Sequence, residues 1–138
     1  MFKPLYFKSN SEQLDRAWRI AIGDLAGNIA LCGRGALEEE APVVMAGLDY
    51  NFPWTRDAAI NTWNGAALMA PEATRNSLLA VLEEGEDGLM VGDQYWDRVI
   101  WAVGAWQQFL YTGDRDLLNR TYHIMVPTVA FLDSTEFN

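Results

Sequence analysis

Two stretches, 57–69 and 94–111, are apolar on nearly every side at helical spacing, and each is preceded and followed by a segment that reads as a helix with one polar face. A helix that is apolar all round has to be enclosed, so such a chain calls for an arrangement in which inner helices alternate with outer ones. The first outer helix is expected over about residues 10–29. Ser9 and Glu12 form a capping-box pattern there, Leu14, Ala17, Trp18, Ala21, Leu25 and Ile29 recur on one face, and Asp15, Arg16, Arg19 and Asp24 take the other. Asp57 is the expected N-cap of the second helix, which runs to about Met69. Pro71 and Glu72 open a third, amphipathic and hence outer helix that ends near Gly85.

"GEDGLMVG" reads as a loop, and Asp93 as the cap of the fourth helix, which Gly113 terminates. Asp114 caps the fifth, where Pro127 is expected to kink or interrupt the helix. Between Leu31 and Pro53 lies a long connection with an acidic run, Glu38 to Glu40, in which "VVMAGLDY" can form a short extended segment. No strand alternation is sustained over several segments, so the fold class expected is all-α, in hairpins roughly 40 residues apart. Repeats of that length belong to helical arrays and toroids. A faint echo fits this: Trp54 and Arg56 recur 42 residues on as Trp96 and Arg98.

The chain has 138 residues, half of them hydrophobic, enough for the core of one domain. A net charge of −9 argues against nucleic acid and against an anionic membrane as partners, and no apolar run approaches the ~18 residues of a membrane span. One cysteine, Cys32, forms no intrachain disulfide and no ordinary zinc cluster, so neither metal nor cofactor is expected. With no apolar signal core after Met1, the expected location is cytoplasmic. The single histidine, His123, has no nucleophile beside it in sequence, and Trp63, Trp101 and Trp106 are expected to pack in the core.

"FPWTRDAAI", at the mouth of an inner helix, resembles the "WTWTRDSAL" type of motif of glucoamylases. "GDQYWDRVIWAVGAWQQFLYTGDRDLL" resembles the "DASLWFIHAVGRYLEYTGD" type of segment of bacterial glycogen-debranching enzymes and related glucosidases. The resemblance to these six-hairpin glycosidases covers about residues 9–135. It implies an (α/α)6 toroid of which residues 1–138 are the N-terminal part, with about five of its twelve helices. It further implies that Arg56 and Asp57 hold hydroxyls of a terminal sugar, and that Trp54, Asp93 and Trp96 line the same cavity. The chemistry is reasonable on its own terms: an arginine fork beside a carboxylate meets sugar hydroxyls as donor and acceptor at once, and a tryptophan face suits the apolar face of the ring. Asp57 and Asp93 can equally serve as helix caps.

Inverting glycosidases need two carboxylates, about 6.5–9.5 Å apart. In the resembled family the acid follows the fifth helix and the base lies near the last hairpin, so neither is assigned here; Glu136, the one carboxylate near the first place, is expected to be structural. The function expected is therefore the sugar-binding portion of an enzyme that hydrolyses α-glucosides or similar short saccharides with inversion. The rival readings are a non-catalytic helical binding module that forms homo-oligomers through exposed inner helices, and a sugar isomerase or epimerase on the same scaffold.

Overall fold

The computed structural model describes residues 6–135, which are mostly helical; Glu136 lies outside them. α1 spans Glu12–Gly27. α2 (Thr55–Asn61) runs through a π turn (Thr62–Ala66) into the short α3 (Ala67–Met69), making one kinked rod with Gly65 at φ 110°. α4 (Pro71–Ala80), α5 (Tyr95–Thr112) and α6 (Arg115–Ser134) complete five helical rods among the described residues.

The fold is mostly helical, as expected, and its connections add two small two-stranded sheets. β1 (Ile29–Cys32) pairs antiparallel with β2 (Ala41–Val44), and β3 (Leu82–Gly85) with β4 (Gly88–Val91). The stretch expected to be a loop is thus a hairpin, and α4 stops at Ala80 rather than near Gly85 because its continuation becomes β3.

Two units of helix, hairpin and helix follow one another, and their hydrogen bonds match. In each, the N–H after the second strand returns to the carbonyl before the first: Met45 to Asn28 at 2.8 Å, Gly92 to Val81 at 3.0 Å. The last strand residue then donates to a hydroxyl on a later helix, Val44 to Ser77 Oγ of α4 at 2.8 Å and Val91 to Thr128 Oγ1 of α6 at 3.0 Å. Both hydroxyls also donate to the carbonyl four residues back, Ala73 and Ile124, so each buried N–H is satisfied by a group that is itself anchored.

α5 is the centre of the packing, with α2 on one flank and α4 and α6 against it as well. Trp101 is fully buried and its Nε1–H donates to the Leu78 carbonyl at 2.9 Å. Around it cluster Leu78, Val91, Leu117 and Ile124. Gly104 lets α2 approach, since a Cβ there would lie 2.7 Å from the Ala59 Cα. A buried polar link joins α4 and α5: Thr74 donates to Gln108 Oε1 and Gln108 Nε2 donates to the Pro71 carbonyl, both at 2.8 Å.

α4, expected as an outer helix, buries Ala73, Thr74, Ser77, Leu78, Leu79 and Ala80. Small side chains let β2 and α5 both close on it. Its C-terminal end is sealed by the loop between β1 and β2, where Ala36 N–H donates to the Leu79 carbonyl at 3.0 Å. Gly35 (φ 62°) sits so close to Ala80 that a Cβ would meet the Ala80 carbonyl oxygen at 2.5 Å.

α1 lies differently. Its N-cap is Ser11, which accepts from Leu14 N–H, while Ser9 turns to Asp15; the capping box expected from Ser9 and Glu12 does not form. Asp15 is 3% exposed and takes Ser9 N–H, Ser9 Oγ and the Lys8 ammonium. The Lys8 hydrogen bond above all, then those from Ser9, hold its carboxyl down to about 2 from an ordinary 3.8. Leu14, Ala17 and Ala21 of the apolar stripe remain exposed, while Leu25 and Ile29 pack against Val44, Ala70 and Ala73.

At the far end, Asp114 caps α6 as expected, accepting from Leu117 N–H at 2.9 Å. Burial opposes ionisation of Asp114, but the Leu117 N–H and the Arg75 guanidinium outweigh it, and its carboxyl lies below the usual range. Gly113 ends α5 in the left-handed conformation at φ 70°, and α6 continues without interruption past Pro127. No helix among the described residues is long and apolar enough to cross a membrane.

Candidate functional site

The starts of α2 and α5 lie together and are cross-linked. Trp54, not Asp57, is the N-cap residue of α2, and it offers no side-chain hydrogen bond; Asp57 sits inside the first turn, where a carboxylate faces the positive end of the helix dipole. Asp93, expected to cap α5, does something else instead. Gln94 is the N-cap residue of α5, and Asp93, held at φ 77°, accepts the Thr55 N–H of α2 through Oδ2 at 3.2 Å. Thr55 Oγ1 donates in turn to the Gly92 carbonyl at 3.4 Å. A positive φ outside glycine is uncommon, and aspartate is among the residues that tolerate it best. Here it re-aims a carboxylate from its own helix to the neighbouring one.

Arg56 does not stand free beside Asp57. Its Nε–H donates to Asp97 Oδ1 at 2.8 Å, across to the first turn of α5. The Asp97 side chain is 3% exposed and that of Arg56 is 53% exposed, so the pair is rooted in the core and ends at the surface. Asp57 and Asp97 occupy the same position, third in their helices, whereas Trp54 and Trp96 do not. The repeat between the helices is therefore offset from the one suggested by the tryptophans and arginines. Arg98, the second half of that echo, is buried: it donates to the Asp93 carbonyl at 2.9 Å and to Glu83 Oε1 at 3.0 Å, and lies 4.4 Å over the Phe131 ring.

Trp54 lines two small clefts. One, of about 220 Å³, is bounded by Ala46, Tyr50, Trp54 and Asp57. The other, of about 240 Å³, includes Arg34, Phe52, Trp54, Glu83 and Asp93. The aromatic wall between them is ordered by ring contacts: Trp54 stacks on Phe52 at 5.9 Å, meets Tyr50 edge-on at 6.2 Å, and Phe52 carries the Arg34 guanidinium at 4.1 Å. The structure thus brings Trp54 together with Asp57 on one side and with Asp93 on the other. Trp96 is 74% exposed and lines neither cleft.

Tyr50, Arg34 and Asp97 belong to this region and were not foreseen. Tyr50 had a signal, its place three residues before Pro53 in an aromatic run; the other two are joined to the site only by tertiary packing. Two larger depressions lie elsewhere, of about 880 and 670 Å³, against α6 and the β3–β4 hairpin, and the smaller of them is lined by Arg120, Tyr122 and His123. Among the described residues no three His, Cys, Asp or Glu side chains are grouped to hold a metal ion. Cys32 is buried, and burial raises its thiol pKa, with Arg34 opposing and Glu40 adding to the rise. Comparison with protein-family models, with curated proteins and with solved structures found no match to this chain.

Proposed function

We propose that the chain is the sugar-binding portion of an (α/α)6 glycoside hydrolase, cytoplasmic, acting on α-glucosides or similar short saccharides by inverting hydrolysis when the enzyme is whole. The observation that carries this reading is the cleft of about 220 Å³ in which the Asp57 carboxylate stands with the rings of Tyr50 and Trp54. A carboxylate accepting from hydroxyls, beside flat apolar faces, is the chemistry a pyranose calls for. Arg56 lines neither small cleft; Asp97 engages its Nε–H, and in this reading the terminal amino groups of its half-exposed side chain turn to the ligand when one binds. In this reading Asp93 holds α2 in place and borders the second cleft; Trp96 is a mostly exposed ring outside both clefts.

The test is a titration with glucose, maltose and deoxynojirimycin followed by tryptophan fluorescence. The expected result is saturable quenching or a shift with at least one sugar, weakened about 10- to 100-fold in Asp57→Ala, the range for losing a hydrogen bond to a charged group. A wild-type protein that answers none of the three ligands overturns the reading.

A second reading, a non-catalytic helical module that associates through its inner helices, is favoured by the exposure of apolar side chains on α5. No observation favours a sugar isomerase or epimerase: His123 lines a different depression from that of Asp57.

A further inference from the structure

α5 has two faces, both at helical spacing and only one of them covered. Asp97, Trp101, Gly104 and Gln108 are buried against α2 and α4. On the other side Trp96, Val99, Val103, Trp106 and Leu110 are 74%, 44%, 41%, 50% and 54% exposed. Their intervals are three, four, three and four residues, which is the a/d spacing of a helix that packs against another helix along a seam. Isolated surface apolar residues need no explanation, but a continuous stripe over four helical turns marks an interaction surface.

We propose that this stripe pairs with the same stripe of a second copy of the chain, in an antiparallel arrangement with Val103 on the two-fold axis. Three observations single out a second copy. The spacing is nearly symmetric about Val103, so that antiparallel pairing sets Trp96 against Leu110 of the other copy and Val99 against Trp106, as a self-complementary interface requires. The sequence from Val99 to Gly113 contains no charged residue, while the chain as a whole carries −9; two such chains repel one another over most approaches, and this length of α5 adds no charge of its own to that repulsion. The area is also of the right order. Aromatic side chains bury about 150–250 Å² when fully enclosed, so Trp96, Trp106, Val99, Val103 and Leu110 at these exposures, with Tyr95 and Tyr111 beside them, offer roughly 500 Å². That is the greater part of the about 800 Å² each partner gives to a standard interface. The pairing sets Leu110 of the second copy against Trp96, beside the start of α2, so the candidate site opens near the seam between copies.

Sedimentation equilibrium of the full chain from about 1 to 200 µM tests the proposal. The expected result is a monomer–dimer equilibrium. Val103→Glu, which puts two like charges at the axis, is expected to weaken it at least 100-fold, and Val126→Glu, on the exposed part of α6, is expected to leave it unchanged. Because a charged variant can also perturb folding, Val103→Cys supplies an independent readout: under mild oxidation it is expected to cross-link to its own copy, and Val126→Cys is not. A monomer over the whole range overturns the proposal. So does a dimer that Val103→Glu leaves intact, or cross-linking at position 126 as fast as at 103.

Discussion

The two helix–hairpin–helix units share one hydrogen-bonding scheme but differ in everything attached to it. In the first unit, residues 33–40 connect the strands and residues 45–54 lead into α2; in the second, Glu86 and Asp87 form the turn and residues 92–94 lead into α5. The longer segments of the first unit carry Arg34, Tyr50 and Trp54, which build the two small clefts. The short ones of the second carry Asp93, which braces α2 and borders one of those clefts. A strand pair sealed by a hydroxyl from a later helix is thus a constant frame, and the small clefts are made where the frame is allowed extra chain.

The units also differ in depth. Matching Asp57 with Asp97 sets Asn61 against Trp101, a partly exposed amide against the centre of the core. Trp101→Ala is expected to cost about 3–5 kcal/mol, through lost burial and a stranded Leu78 carbonyl, and Asn61→Ala less than about 0.5 kcal/mol. Urea unfolding with an unchanged slope measures both. Equal losses would mean that the second unit is not the core.

The two hydroxyl seals offer a finer comparison. Ser77→Ala and Thr128→Val each strand a buried strand N–H, at an expected 1–3 kcal/mol, the valine keeping the shape of threonine. If the scheme is a true repeat, the two losses agree to within about 1 kcal/mol; a seal that costs nothing breaks the equivalence.

The smallest effect belongs to the first helices. α1 is tied at its start by a charged group, Asp15, whereas the start of α4 is tied at Pro71 by the neutral amide of Gln108. Since the folded Asp15 is depressed to about 2 from 3.8, its contribution is fully present above pH 3.8 and fades as the pH falls toward 2. Between those values the Trp18 signal, from a ring 5.1 Å from Phe7, is expected to change before any global unfolding. In Asp15→Asn that early step is expected to be missing.

Helix positions were legible because their apolar spacing extends over several turns. The strands were not: four residues such as Leu82 to Gly85, with two glutamates, show no usable alternation. The Asp87–Gly88 pair was a hairpin signal that could have been read, since glycine supplies the positive φ, here 120°, that tight turns need. The apolar character of 57–69 was legible, yet its meaning changed. The π turn shifts the phase of the helix partway along, so side chains on several faces do not imply burial all round, and Trp63 and Leu68 are half exposed. α5 likewise leaves Trp106 half exposed, so of the three helical tryptophans expected in the core only Trp101 lies there. In the candidate site, Trp54, Arg56 and Asp57 were legible as a local motif. Their partners Asp93 and Asp97 are about 40 residues away, and no local pattern could say that one would cross to Thr55 and the other would claim Arg56.

That crossing has a mechanical meaning. Asp93 to Thr55, Thr55 to Gly92, and Arg56 to Asp97 are three struts between the same two helix starts, at 3.2, 3.4 and 2.8 Å. Helices joined so often at one end cannot splay there independently, so the rim beside Trp54 has a fixed gauge. Any group entering the cleft beside Trp54 meets a rim held by those three bonds rather than one that yields to it.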